Sequence, residues 1–168
     1  MNVLNGVITG ILTEDEISLV CVDSNGSSFT AIVIDTPADS NYLQLDHNVH
    51  LIFKETEVMI AKTGPLAISV QNRIACSIKK IIMGKILCQI ELQIISASED
   101  TGPIGCIITR NACEQLELKQ GEHVTALIKT NEVSLSHQNP SVPVNPAVHI
   151  NPSANLNRSA RANLSAHD

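Results

Sequence analysis

Apolar and polar residues alternate through most of the chain, and the alternation stops near residue 136. It is cleanest in 86–94, where Cys88, Ile90, Leu92 and Ile94 face one way and Gln89, Glu91 and Gln93 the other. A period of two marks a strand with one buried face. The same pattern predicts short strands at about 4–12, 17–23, 28–34, 49–54 and 57–61, then at 73–82, 86–94, 103–109, 123–129 and 132–136. A single helical turn is expected between the third and fourth strands of each set, at Pro37–Leu43 and Asn111–Leu116. Pro37 suits a first helical turn and Asn111 suits an N-cap. Asn48 and Gly121 are the expected turn residues with positive φ.

The two sets of strands are two copies of one pattern. Residues 29–60, FTAIVID…LQLDHNVHLIFKETEVMI, echo 104–135, IGCIITR…LELKQGEHVTALIKTNEVSL. Both end in Lys-x-x-Glu-Val, which pairs Lys54 with Lys129, Glu57 with Glu132 and Val58 with Val133. Upstream, NVLNGVITGIL from Asn2 lies over NRIACSIKKII from Asn72, so the period is roughly 70 residues, with gaps expected around 35–50.

Five short antiparallel strands in so few residues cannot bury a core as an open sheet, and closure removes the exposed edges. The expected fold is therefore all-β: two tandem five-stranded OB-like antiparallel β-barrels, residues 1–64 and 66–136, each with one short helical turn. From His137 onward Asn, Pro, Ser and Ala dominate, and residues 137–168 read as a disordered tail.

Composition narrows the chemistry. Of the 168 residues, 43% are hydrophobic, yet Phe29, Phe53 and Tyr42 are the whole aromatic set, so the core must come from Ile, Val, Leu, Ala and Cys. Net charge is −6, with residues 1–62 acid-rich and 66–136 balanced. No basic face with stacking aromatics is present, which argues against nucleic acid as a partner. An acidic sum still permits a small anion, because a few oriented amides and one lysine set the local potential. Cys21, Cys76, Cys88, Cys106 and Cys113 show no CxxC spacing and read as small hydrophobes. No apolar run approaches the ~18 residues that span a bilayer, and the N-terminus lacks a cationic leader, so a soluble cytoplasmic protein is expected.

Catalytic constellations are missing: no GxSxG, HExxH or glycine-rich phosphate loop occurs, so an enzyme is not expected. His47-x-x-His50 has no third ligand at plausible spacing, so both histidines read as solvent-exposed and no metal is expected.

The segments IFKETEVMIAK (52–62) and LELKQGEHVTALIKTNEV (116–133) resemble the molbindin family, also called the Mop or TOBE domain. The tandem copies are similar to its di-Mop arrangement over residues 2–136. The resemblance implies binding of molybdate, or tungstate, for storage, buffering or homeostasis. The alternative it implies is a regulatory or interaction module of a molybdate transport or transcription system, with weak or no anion binding. Family modules open with a Ser-Ala-Arg-Asn strand that contacts the anion, and the matching positions are Ser69, Val70, Gln71 and Asn72. Gln71 stands where the arginine would be and brings no charge; Arg73, by strand alternation, points to the opposite face.

The resemblance implies further contacts from Thr109, Ala112, Lys129 and Thr130 in the second module, and from Asp35, Ala38, Lys54 and Glu55 in the first. Asp35 and Glu55 would repel an anion, so the first site is impaired unless Thr36 replaces Asp35; Lys54 remains a candidate through its recurrence as Lys129. A tetrahedral dianion offers acceptors only, so it needs converging N–H and O–H groups and about one or two positive charges. Hydroxyls, amides near Asn111 and Lys129 supply them. The Ser69 strand and the Lys129 end cannot be assumed to meet within one barrel, so binding is expected at module interfaces of a homo-oligomer, a trimer or a dimer.

Overall fold

The computed structural model describes residues 1–96 and 102–137. The tail lies outside the described residues except for His137, which ends the last strand. The strands are β1 (Asn2–Glu14), β2 (Ile17–Ser24), β3 (Ser27–Val33), β4 (Asn48–Phe53), β5 (Met59–Lys62), β6 (Asn72–Met83), β7 (Leu87–Ile94), β8 (Ile104–Thr109), β9 (His123–Ile128) and β10 (Ser134–His137). One helix, α1 (Arg110–Gln115), follows β8, and each Lys-x-x-Glu-Val forms a 3-10 turn, at Glu55–Glu57 and Thr130–Glu132.

Two five-stranded antiparallel sheets result, and their membership departs from the tandem expectation. The first runs β10-β4-β1-β2-β3 and the second β5-β9-β6-β7-β8. Each module therefore supplies four strands to its own sheet and its last strand to the other. Leu135 pairs with Leu51, and Ile60 with Ala126. The 3-10 turns carry the chain across: Glu55–Glu57 packs on β8, and Thr130–Glu132 packs on β3. No ladder joins β3 to β10 or β8 to β5 among the described residues. β3 and β10 nevertheless lie in contact, so the first sheet curls until its edges meet by packing.

Two side-chain amides tie the crossing together. Asn72 accepts from Thr30 N–H at 2.6 Å and donates to Thr30 C=O at 2.9 Å. Asn2 accepts from Gly105 N–H at 2.7 Å and donates to Gly105 C=O at 2.9 Å. An amide side chain presents the same donor–acceptor pair as a peptide, so each asparagine acts as one extra strand residue against an outer strand.

These contacts also fix the internal alignment. Asn72 follows Asn2 by 70 residues, whereas Gly105 follows Thr30 by 75. The extra residues fall in the β7–β8 connection, not around 35–50: Asn25 and Gly26 alone join β2 to β3. Val33 stands opposite Ser18, and Ile108 opposite Cys88. Thr109 thus corresponds to Ile34 rather than Asp35, and Ala112 to Pro37 rather than Ala38.

Leu4, Ile8, Val20, Val22, Leu51 and Phe53 join Ile74, Ile78, Ile90, Leu92, Val124 and Ile128 in one contiguous apolar cluster spanning both sheets. At about 1.5–3 kcal/mol per fully buried large aliphatic side chain, this burial is what holds the sheets. The Phe29 and Phe53 rings pack 6.3 Å apart. Cys76, Cys88 and Cys106 are buried, and burial pushes each thiol up to about 12, as suits small core hydrophobes.

Local details correct three expectations. The N-cap of α1 is Thr109, whose side chain accepts from Ala112 N–H, and Asn111 lies inside the helix. Pro37–Leu43 forms turns rather than a helix. There the Asp35 carboxylate takes Thr36 N–H and the Ser40 hydroxyl, and Thr36 Oγ1 donates to Asp39, side-chain bonds that compete with a helical ladder. Positive φ falls on Gly121 and Asp46, not Asn48. Asp46 and Gly121 are equivalent, their N–H groups donating to the carbonyls of Ile8 and Ile78.

Candidate oxyanion site

The second module's candidates separate into two groups. Asn72 pairs with Ile128, so the next positions outward are Gln71, before β6, and Lys129, after β9. Ser69, Gln71 and Lys129 are exposed; Val70 and Thr130 are half-buried. The Ser69 segment and the Lys129 end therefore do meet within one chain, as the neighbouring ends of two paired strands. Lys129 caps the 3-10 turn with extended backbone, φ −68° and ψ 147°. Its ammonium has no partner among the described residues.

Thr109 and Ala112 lie elsewhere. Thr109 pairs with Leu87, beside the β6–β7 hairpin, at the far end of the sheet from Asn72. The 12 residues of β6 separate the groups, on the order of 40 Å of strand contour at ~3.3 Å per residue. Thr109 Oγ1 takes Ala112 N–H at 3.2 Å and keeps its own hydrogen to donate. The amides expected near Asn111 are partly spent, since Arg110 N–H already donates to the Ile86 carbonyl.

Asn72 leaves the candidate ligand set as a side chain. It is 1% exposed, and both ends of its amide are engaged by Thr30.

In the first module Lys54 is exposed and caps the other 3-10 turn. The next residue, Glu55, forms an ion pair with the Met1 ammonium. Asp35 and Thr36 are occupied in the turn described above, so Thr36 does not stand in for Asp35. Ala38 is an exposed turn residue, and Ile34, in the place of Thr109, is 85% exposed and offers no hydroxyl.

Of the two histidines, only His47 is exposed. His50, on β4 between Asn5 and Ser136, is half-buried, and its Nδ1 is buried without a partner. His47 lines an open hollow of about 250 Å3 with Tyr42, Asp46, Asn48 and His137. In the second sheet the equivalent of His47 and His137 is the ion pair of Glu122 and Lys62, and hydrogen bonding to Lys62 holds the Glu122 carboxyl below its usual range. No group of three or more His, Cys, Asp or Glu side chains is placed to hold a metal among the described residues. No helix among them is long and apolar enough to cross a membrane.

Alternation along β6 places Arg73 correctly on the outer face, yet misses what it does there. Its Nε donates to Val70 C=O at 2.8 Å, Nη1 to Leu66 C=O at 2.9 Å and Nη2 to Ile68 C=O at 2.5 Å. The guanidinium thus gathers the connection between the modules, which carries Ser69, Val70 and Gln71.

Residues 68–135 match the TOBE domain. A solved structure of the cytoplasmic molybdate-binding protein ModG, in a form grown from PEG with molybdate bound, aligns with a TM-score of 0.74 at 22% identity. The alignment covers 82% of this chain and 96% of that one. No curated protein matches the chain. The second half of the chain is thus similar to a TOBE domain, and its mostly-β fold of two sheets to that of ModG.

Proposed function

We propose that this protein binds molybdate, or tungstate, in the cytoplasm for storage or buffering, at sites shared between two chains of a homo-oligomer. One observation carries the reading: the donors divide into an exposed group at Ser69–Gln71, Lys129 and Thr130 and a second at Thr109 and Ala112, at opposite ends of one sheet. A single chain cannot close both groups on one ion. A second chain presenting its Thr109 end to the Lys129 end of the first supplies hydroxyl, amide and ammonium donors together, as a dianion without donors of its own requires. The surface beside Thr109 suits such a contact, since Ile86 is 76% exposed, Leu87 50%, Met83 45% and Ile82 41%. The description of ModG as molybdate-binding supports the choice of ion.

The second reading, an interaction module of a molybdate transport or transcription system with weak or no anion binding, draws on the first module's Asp35 and Glu55 and on the uncharged Gln71.

Titration with molybdate, tungstate and sulfate, followed by thermal unfolding and light scattering, separates the two. Molybdate at 100 times its dissociation constant stabilises the fold by ~2.7 kcal/mol. The scattering mass should be a multiple of one chain. No stabilisation by any oxyanion selects the interaction module. Lys129→Ala should weaken binding about tenfold or more, the scale of one lost charge-assisted hydrogen bond. Lys54→Ala should weaken it less, because a site at Lys54 would meet Glu55 and the Ile34 end of a second chain, where one at Lys129 meets Thr130 and the Thr109 end. Equal losses would move the site away from the second module.

A further inference from the structure

We infer that Arg73 is a positioning residue for the anion: it turns the inter-module connection so that the amides of Ala67, Ser69 and Gln71 face outward as donors, and backs them with its charge. The inference rests on the oxyanion reading and adds a residue that this reading does not use.

β5 and β6 flank β9 and run in the same direction, with Lys62 opposite Val124 and Asn72 opposite Ile128. Residues 63–71 must therefore cross β9 and run back toward its Lys129 end. Leu127 shares the outer face with its ladder partners Arg73 and Met59, both exposed, yet is itself only 6% exposed.

The three donor nitrogens of Arg73 each take one carbonyl, those of Leu66, Ile68 and Val70. In a trans peptide the C=O of one residue and the N–H of the next point in opposite directions, and no cis peptide occurs among the described residues. Three carbonyls drawn onto one guanidinium therefore send the N–H groups of Ala67, Ser69 and Gln71 away from it. None of those three amides has an acceptor among the described residues.

Successive amides turned to one side form a concavity that favours an anion. Here the peptide dipoles point their positive ends outward while a guanidinium sits at their negative ends. An anion at the amides receives the charge of Arg73 through the peptide groups, although the side chain never touches it. This offsets the missing arginine at Gln71, and it places the amides next to Lys129. A guanidinium suits the task because its planar fork holds three acceptors at once, which an ammonium on a flexible stem does less well.

Amide NMR spectra of the full chain, titrated with sodium molybdate, test the inference in the wild type, Arg73→Lys and Arg73→Gln. Saturable shifts are expected at the amides of Ala67, Ser69 and Gln71 in the wild type. Arg73→Gln should raise the dissociation constant about tenfold, and Arg73→Lys by a smaller factor, since charge returns without the fork. Core methyl signals away from Leu127 should stay unchanged, because Arg73 is exposed and its hydrogen bonds all go to the connection; a merely structural role would spread the change through the core instead. Molybdate binding that shifts Thr130 but none of the three amides, or Arg73→Gln binding as tightly as the wild type, overturns the inference and leaves the oxyanion reading standing. No molybdate-dependent shift anywhere in the wild type overturns both.

Discussion

Expressed separately, residues 1–64 and 66–137 are expected to yield no folded monomer, although each spans one full sequence repeat. Without the second half, the first loses β10 from the free side of β4, and its own β5 has no β9 to pair with. The second half loses β5 and strands β10 in the same way. Each half also forfeits both asparagine contacts, those of Asn72 with Thr30 and of Asn2 with Gly105. The exposed edge of a four-stranded sheet templates pairing with another chain. Two identical halves can repair the loss by exchanging last strands in trans, so a dimer or an aggregate is the expected product. Size-exclusion chromatography with light scattering decides the matter. A β-rich particle of half-chain mass with a cooperative unfolding transition would mean that each last strand folds back onto its own module.

Replacing Asn72 with alanine should lower stability by about 2–4 kcal/mol, the largest loss expected from any polar substitution in this protein. The side chain is 1% exposed and makes two hydrogen bonds to one peptide group, so its removal strands both a donor and an acceptor of Thr30. Each unsatisfied buried group costs roughly 1–3 kcal/mol. Asn2→Ala should cost less, because Asn2 is 6% exposed against 1% for Asn72, and water can reach the vacated site sooner. Asn72→Asp keeps the acceptor for Thr30 N–H but sets a carboxylate oxygen against Thr30 C=O, so it should be no better than alanine. Urea denaturation of the three variants checks the order. A loss below about 0.5 kcal/mol for Asn72→Ala would show that the second module's grip on β3 comes from apolar packing alone.

Strand identity was legible because a two-residue period records which face is buried. Cys88, Ile90, Leu92 and Ile94, the side predicted to face inward, are all 1% exposed or less. The recurrence of Lys-x-x-Glu-Val likewise marked two equivalent points, and both became 3-10 turns. Periodicity cannot say which sheet a strand joins, however. MIAK and SLSH are four-residue strands of similar pattern, and either would fit beside β4 or β9. The exchange was therefore invisible, and with it the role of Asn2 and Asn72, which read as ordinary polar residues at strand starts.

At the site, residue types were readable while their grouping was not. Thr109 and Lys129 lie twenty positions apart in sequence and at opposite ends of the sheet, a separation set by the direction of β8 and β9 rather than by spacing. Strand alternation sends the Arg73 side chain away from Gln71, and the exposed outer face is where it lies. Alternation does not register the backbone, however: a cation behind a peptide group acts on what lies in front of it.

Exchange of last strands also sets the order in which this chain can be completed during synthesis. The first sheet starts at Asn2, but its outermost strand begins at Ser134, roughly 80 residues after β4 ends at Phe53. At 5–20 residues per second, the ribosome leaves that edge open for about 4–16 s. The second sheet faces no such delay, since β5 is made before β9. A premature stop late in translation would therefore damage the half of the protein made earliest and leave the half made last with every strand it needs.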